Sequence, residues 1–346
     1  MTKRSLTNSP PNEGRTDDES VHKGDLVFEH ESVLADEVVA WMAEVPAGVI
    51  VDCTAGGGGH SGALLAARDD ISLVALDRDP DAFAAATRRV RAFGERAKVV
   101  RAAFSELAAV VNERQLGPLS GILADLGVSS HHFDTAERGF SFSNDGPLDM
   151  RMDPDSGQPL RDKLAMVNER DLADILYGYG DIRASRRAAA AVLTAWREGV
   201  DSTAELAVRL KATMPWHGKT HPATRVFQAL RIWVNDEFGQ LETLLADAPG
   251  LLTEKGLFAV ISFHSGEDRL VKRRFQALSR GRDATYSVRS KKPIVPSDDE
   301  TRRNPRSRSA KLRGLVRSPP EKRKRTRDDS SRRARRRREG KRKERA

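Results

Sequence analysis

Four consecutive glycines, Gly56 to Gly59, close the segment VDCTAGGGG that starts at Val51 and opens directly onto His60, Ser61 and Gly62. Glycine has no Cβ, so such a stretch adopts positive φ and lets the backbone approach a ligand, and a helix starting there offers free N–H groups. Gly57, Gly59 and Gly62 satisfy the spacing G-x-G-x-x-G, and Asp77 ends the next apolar run, SLVALD, where a ribose-binding acid belongs. Nicotinamide dinucleotides and S-adenosylmethionine both fit, because Asp77 can accept from both ribose hydroxyls of either. A tight turn without a ligand is the structural alternative. Asp52, just before the loop, favours S-adenosylmethionine, since a carboxylate there suits the ammonium of a methionine better than it suits a pyrophosphate.

Asp125 ends a further apolar run, GILAD, and leads into Leu126-Gly127-Val128-Ser129-Ser130. At the carboxyl edge of an open α/β sheet it can hold an exocyclic amine beside a methyl donor, or it can cap the following turn. The segment Phe263-His264-Ser265-Gly266-Glu267-Asp268-Arg269 follows another apolar run, GLFAVISF. His264 or Arg269 could face a substrate there, whereas Ser265 and Asp268 have the spacing of a capping box.

The elements that must position these residues alternate. A helix is expected over Glu31 to Met42 with Ser32 as its cap. Strands are expected at Gly48–Asp52, Ser72–Asp77, Lys98–Arg101 and Gly121–Asp125, with helices at His60–Arg68, Pro80–Arg91 and Ser105–Arg114. Such alternation implies right-handed crossovers and a parallel sheet covered on both faces. It stops after Asp125 and resumes about a hundred residues later. Between lie a loop rich in Gly, Asp and Met (Asp134 to Gln158) and helical patterns at Glu169–Tyr177, Ala184–Arg197 and Thr203–Thr213. One long helix is expected over Thr224 to Ala246, then a strand (Gly256–Phe263), a helix (Gly266–Leu278) and two edge strands, Tyr286–Ser290 and Ala310–Arg317.

The chain has 346 residues and a net charge of +9. From Arg302 onward there are 22 basic and 5 acidic residues, a local +17, which leaves residues 1–301 at −8. The basic character therefore belongs to a tail, a block too charged and too poor in apolar residues to fold alone and suited to a polyanion. Residues 131–223, with 12 basic and 14 acidic residues, show no such bias. The first 24 residues read as a disordered leader without the apolar core of a secretory signal. No apolar stretch approaches the roughly 18 residues of a membrane span, so a cytoplasmic protein is expected. A single cysteine, Cys53, allows no intramolecular disulfide and no Cys-rich zinc site.

The stretches DCTAGGGGHSG, LVALDRDPDA, AFSEL, ADLGVSSHHFDTAERGFSFSNDGPLDMRMDP, HPATRVFQALRIWVNDE, ISFHSGEDRLVK and NPRSRSAKLR closely resemble the RsmH (MraW) family, in order from about His30 to Arg317. The resemblance implies an α/β, class I (Rossmann-like) S-adenosylmethionine-dependent methyltransferase acting on N4 of a cytidine in the decoding region of bacterial 16S rRNA. It implies a core over residues 25–130 and 223–317 and an inserted helical RNA-recognition domain over 131–222, while the charge pattern makes 318–346 a disordered basic tail. The family's cofactor site carries over to Gly58, Gly59, His60, Asp77, Phe104, Asp125 and His132, with Phe104 against the adenine. Asp125 is the first candidate for contact with the amine and His264 a second catalytic candidate. Arg138, Arg151 and Arg225 lie in family blocks as possible phosphate contacts. The Asp/Asn-Pro-Pro-aromatic motif of other amino-methyltransferases is absent, and Cys53 stands where a glycine is common in the family. Neither His60 nor His132 has a second ligand at metal spacing, so no metal is expected. An NAD(P)-dependent oxidoreductase and an RNA-binding assembly factor without turnover are the alternatives. Deleting residues 318–346 should weaken RNA association at low salt and leave cofactor affinity intact; a salt dependence of binding unchanged by the deletion would remove the tail from RNA contact.

Overall fold

The computed structural model describes residues 32–214, 221–281 and 284–318. The expected leader, and the basic tail apart from Ser318, lie outside the described residues. The first helix, α1 (Ala35–Met42), begins later than expected, and Ser32 does not cap it. Leu34 does, at a left-handed φ of 54°, and its N–H donates to Glu300 Oε1 at 2.8 Å, so a carboxylate 266 residues away stands in for a local cap.

Strands and helices then alternate as β1 (Gly48–Asp52), α2 (Gly59–Ala67), β2 (Ile71–Asp77), α3 (Pro80–Val90), β3 (Ala97–Arg101), α4 (Leu107–Glu113) and β4 (Leu119–Asp125). Pro80 opens α3 at its first turn, and the Asp79 carboxylate caps it by accepting from Asp81 N–H at 3.0 Å. After β4 come α5 (Ser130–Asp134), α6 (Leu160–Met166), α7 (Glu169–Gly180), α8 (Ser185–Arg197), α9 (Thr203–Thr213), α10 (Ala223–Asn235) and α11 (Glu237–Leu251). The core resumes with β5 (Leu252–Ser262), α12 (Ser265–Leu278), β6 (Tyr286–Val288), α13 (Asp298–Arg303) and β7 (Lys311–Arg317).

The seven strands form one sheet in the order β3-β2-β1-β4-β5-β7-β6, with β1 to β5 parallel and β7 antiparallel to both its neighbours. Side chains alternate across it. Ile50, Leu73, Leu123 and Ala259 join one buried cluster with Val38 of α1, Leu64 of α2 and Ala86 of α3. Val51, Val74, Ile122 and Phe258 join another with Leu107 of α4, Leu241 of α11 and Phe275 of α12. Both faces being covered, the strands read as near-continuous apolar runs, and the expected doubly wound α/β architecture is present. The edge-strand expectation holds only for β6. β7 lies inside, between β5 and β6, which its fully buried Leu312 and Leu315 require.

Helices α6 to α10 gather around their own apolar cluster, including Leu164, Leu176, Val192 and Leu210. That cluster runs past the boundary expected at residue 222, because Val226, Phe227 and Leu230 of α10 belong to it. The single helix expected over Thr224 to Ala246 is broken at Asp236, whose φ is 48°. The buried Asn235 explains the break: its Nδ2 donates to Met150 O at 2.7 Å and its Oδ1 accepts from Met152 N–H at 2.8 Å. The chain thus leaves the helical cluster at a point pinned to the loop that entered it. No helix among the described residues is long and apolar enough to cross a membrane. Asn235→Ala should cost about 2–3 kcal/mol, since it strands a buried N–H and a buried carbonyl; an unchanged urea midpoint would show that this tie is dispensable.

Candidate active site

The loop after β1 is drawn across the carboxyl ends of the strands by backbone bonds, Cys53 N–H to Leu123 O and Ala55 N–H to Leu76 O, both at 2.8 Å. Gly56 and Gly58 take φ of 50° and 76°, and a Cβ on Gly58 would stand 3.1 Å from Ala86 Cα in α3. The turn therefore needs glycine twice over, for conformation and for packing against the neighbouring helix. Asp52 lies beneath this loop, fully buried, accepting from Ser61 Oγ at 2.7 Å and from Thr54 N–H at 3.2 Å. It does not line the cleft, so the expectation that it faces a ligand's ammonium is corrected: its work is to tie the loop to α2. Burial pushes its pKa up to about 6 against the opposing pull of His60, Ser61 and Thr54. Cys53 is buried beside it, and burial raises its thiol pKa, as suits a packing residue.

A cleft opens over the loop. Gly59, His60, Asp77, Phe104, Asp125 and His132 all line it, brought together from four strand ends. Gly58 does not line it; it is the left-handed cap of α2. Asp77 Oδ2 accepts from Gly56 N–H at 2.8 Å and Oδ1 from Asp79 N–H at 3.0 Å, and burial raises its pKa to about 6 despite those bonds. Phe104 sits in a short 3₁₀ turn after β3, partly buried against the α4 side of the core. Asp125 donates its N–H to Thr54 Oγ1 at 2.7 Å, and its Oδ2 lies 3.4 Å from His60 Nε2. His60 is 5% exposed. Burial alone would lower its pKa, but the nearby carboxylate of Asp125, with Asp52 and Glu300 behind, raises it. Asp125 Oδ1 and His60 Nδ1 are buried with no hydrogen-bond partner.

His132 lies 2.8 Å from Asp79 Oδ2 through Nε2, while its Nδ1 accepts from Ser129 N–H at 3.2 Å, so the proton belongs on Nε2. Burial lowers the His132 pKa against the opposing pull of Asp79. Asp79, 1% exposed, would be raised by burial, yet the hydrogen bond and charge of His132 and the charge of Arg138 hold it at about 2. Arg138 bridges Asp79 and Asp81 through Nη1 at 3.2 and 3.1 Å, and its Nη2 donates to Met152 O at 2.8 Å. It is an internal strut, which corrects the expectation of a phosphate contact there, and Arg151 is paired with Asp149 at 2.8 Å. Arg225 is exposed on α10.

His264 is not among the residues lining the cleft. It caps α12, with Nε2 3.1 Å from the buried Glu267, which also accepts from Phe263 N–H at 2.8 Å. The capping box therefore lies one residue earlier than Ser265 and Asp268, and Asp268 instead binds Arg313 and Lys311 of β7. Sequence reasoning also missed Gly127, Arg78 and Met152 as cleft residues. Gly127 left a signal: its φ is 116°, and a Cβ there would stand 3.3 Å from the ring of Phe263. Met152 left none, because it arrives from the insertion.

The unsatisfied Asp125 Oδ1 and His60 Nδ1 and the doubly bound Asp77 form a polar lining that suits a ligand with an ammonium or amine at one end and hydroxyls at the other. No group of three or more His, Cys, Asp or Glu side chains among the described residues could hold a metal ion. Over residues 27–318 the sequence matches the model of a family described as the MraW methylase family. The chain belongs to that family. Ribosomal RNA small subunit methyltransferase H of Synechococcus sp. (strain RCC307) is 49% identical over 293 residues, covering 83% of this chain and 94% of its own length. The protein of the same name from Anaeromyxobacter sp. (strain K) is 45% identical over 305 residues, covering 83% and 97%. Among solved structures, an rRNA methylase from Streptococcus thermophilus aligns over 83% of this chain and 98% of its own at 9% identity and a TM-score of 0.38, too distant to add to the assignment. Membership of a methylase family sets aside the nicotinamide reading left open by the glycine pattern.

Because Asp79 is held near pH 2 in the fold against an ordinary value of 3.8, its charge stabilises the fold fully above the ordinary value and loses that effect as pH falls through 2. The stability gap between wild type and Asp79→Asn should open between those two values, reach about 2 kcal/mol and then stay level. A gap independent of pH in denaturant titrations would contradict the assignment of an ionised Asp79.

Proposed function

We propose that the chain methylates N4 of a cytidine in the decoding region of 16S rRNA, using S-adenosylmethionine, in the cytoplasm and on the small ribosomal subunit or its rRNA. The observation that carries this reading is Asp125 at the end of β4, with a buried unsatisfied oxygen on the cleft, in a chain that belongs to a methylase family over residues 27–318. S-adenosylmethionine, when bound, supplies a methyl group made electrophilic by its sulfonium. Asp77 would accept from the ribose hydroxyls, Gly59 and the loop backbone would receive the methionine portion, Phe104 would flank the adenine, and His60 and His132 would complete the walls.

The exocyclic N4 lone pair of cytosine is delocalised into the ring, so the site's own work is to localise it. Asp125 accepts a hydrogen bond from N4–H, which helps N4 pyramidalise and draws its lone pair out of conjugation; as N4 would bond to the methyl carbon and the methyl–sulfur bond would break with its electron pair left on sulfur, the carboxylate takes the proton that N4 gives up. Proximity and orientation supply most of the remaining acceleration. A paired cytosine buries that amine, so the target base leaves its stack to enter. The inserted helical domain over 131–222 and the basic tail serve RNA recognition in this reading.

Labelled S-adenosylmethionine incubated with small subunits from cells lacking the protein, followed by nuclease digestion and mass mapping, should place label on N4 of one decoding-region cytidine. Label elsewhere, or none with cofactor binding intact, would overturn the substrate assignment. In the same assay Asp77→Ala should mainly weaken cofactor binding, whereas Asp125→Ala should lower kcat at least about a hundredfold. Equal cofactor losses in the two variants would put Asp125 on the cofactor and not on the amine.

A further inference from the structure

A second cleft adjoins the first and shares Arg78 and Ala102 with it. It is cut where the turn after β3 meets the insertion loop around residues 151–157 and the joint between α10 and α11. Two of its three arginines are already neutralised: Arg101 by Asp153 and Asp155, at 2.8 and 2.6 Å, and Arg151 by Asp149. Arg78 differs. Its guanidinium is partly buried, and its hydrogen bonds go to neutral atoms, Nη2 to Met152 Sδ at 2.7 Å and Nη1 to Asn235 O at 3.4 Å. Five N–H donors exceed two such acceptors, and burial pulls its pKa down against the opposing charges of Glu237, Asp77, Asp153 and Asp79, none of which is in contact with it.

Gln240 meets Arg78 at the same carbonyl. Its Nε2 donates to Asn235 O at 2.8 Å, which fixes the amide and leaves Oε1 buried without a partner. Spare planar donors and a spare acceptor, buried just behind the wall, therefore belong to two residues that line one cleft and meet at the Asn235 carbonyl. A phosphate, which offers acceptors alone, would satisfy Arg78 but oppose Gln240 Oε1. The edge of a nucleobase offers acceptor and donor together, and Ala102, Ala103 and Val234 give its ring an apolar wall. We infer that this second cleft holds an unpaired nucleobase of the RNA substrate, flanking the methylated one, with its edge between the Arg78 guanidinium and Gln240 Oε1. The inference rests on the rRNA reading above.

The test compares wild type, Gln240→Leu, Arg78→Ala and Arg78→Lys for KM toward small subunits lacking the modification and for Kd of S-adenosylhomocysteine by calorimetry. Gln240→Leu should raise KM for subunits about five- to tenfold while the Kd stays within about twofold. Arg78→Lys should lose as much as Arg78→Ala, because an ammonium keeps the charge but not the planar fork. A Lys variant equal to wild type would mean a phosphate contact and overturn the base assignment. Kd values that rise while KM stays put would assign the cleft to the cofactor. Photocrosslinking of 4-thiouridine-substituted subunit RNA to the unaltered protein guards against variants that misfold: crosslinks within residues 101–106 or 151–157 are expected, and their absence overturns the inference. Failure of the wild type to methylate subunits would sink the rRNA reading itself, whereas normal wild-type transfer with unaffected variants would sink only this cleft.

Discussion

Asp79 is a carboxylate that the fold has buried almost completely and still keeps ionised. A buried charge is tolerated only when other groups replace its water, and here they come from three places in the chain. The first turn of α3 supplies an N–H, α5 supplies the Nε2 proton of His132, and the insertion supplies Arg138. Removing any one of them would leave the others facing an incompletely solvated charge. The same guanidinium reaches on to the carbonyls of Arg151 and Met152, and so sets the loop that brings Met152 against the cleft. One anion thus couples the turn after β2, the helix after β4 and the entry of the inserted helices, which are the walls within which a ligand must sit.

The chemistry of the cleft follows from how unevenly its carboxylates are served. Asp52 and Asp79 are consumed by the framework, one by Ser61 and Thr54, the other by His132 and Arg138. Asp77 is half consumed, holding the glycine loop through Gly56 while still facing the cleft. Asp125 keeps an oxygen unsatisfied, with His60 beside it as the nearest cation former. Identical side chains at four neighbouring strand ends and turns therefore have different roles, and the difference is set by which neighbours supply donors.

Much of the frame was legible from local pattern. The five parallel strands, the helices between them and the glycine loop follow from apolar runs, a proline at a helix start and a glycine cluster between a strand and a helix. All of these act within a few residues. Asp77 and Asp125 were legible as cleft residues for the same reason, because the end of a parallel strand is the carboxyl edge of the sheet. What failed involved partners distant in sequence. The helix break at Asp236 depends on Asn235 reaching Met150 and Met152, more than 80 residues away. The interior position of β7, the capping of α1 by Glu300 and the internal pairing of Arg138 are of the same kind.

His264 marks that boundary closely. Its position after an apolar strand is where ligands bind, but in the fold it caps α12 over the buried Glu267, one residue before the capping box expected at Ser265 and Asp268. The sequence by itself determined the elements, the α/β class and the family, because hydrophobic period, glycine conformation and motif spacing are properties of short stretches. Only the tertiary structure decided which acids stay available to a ligand and which arginines are spent inside, because that depends on desolvation and on donors brought from distant parts of the chain.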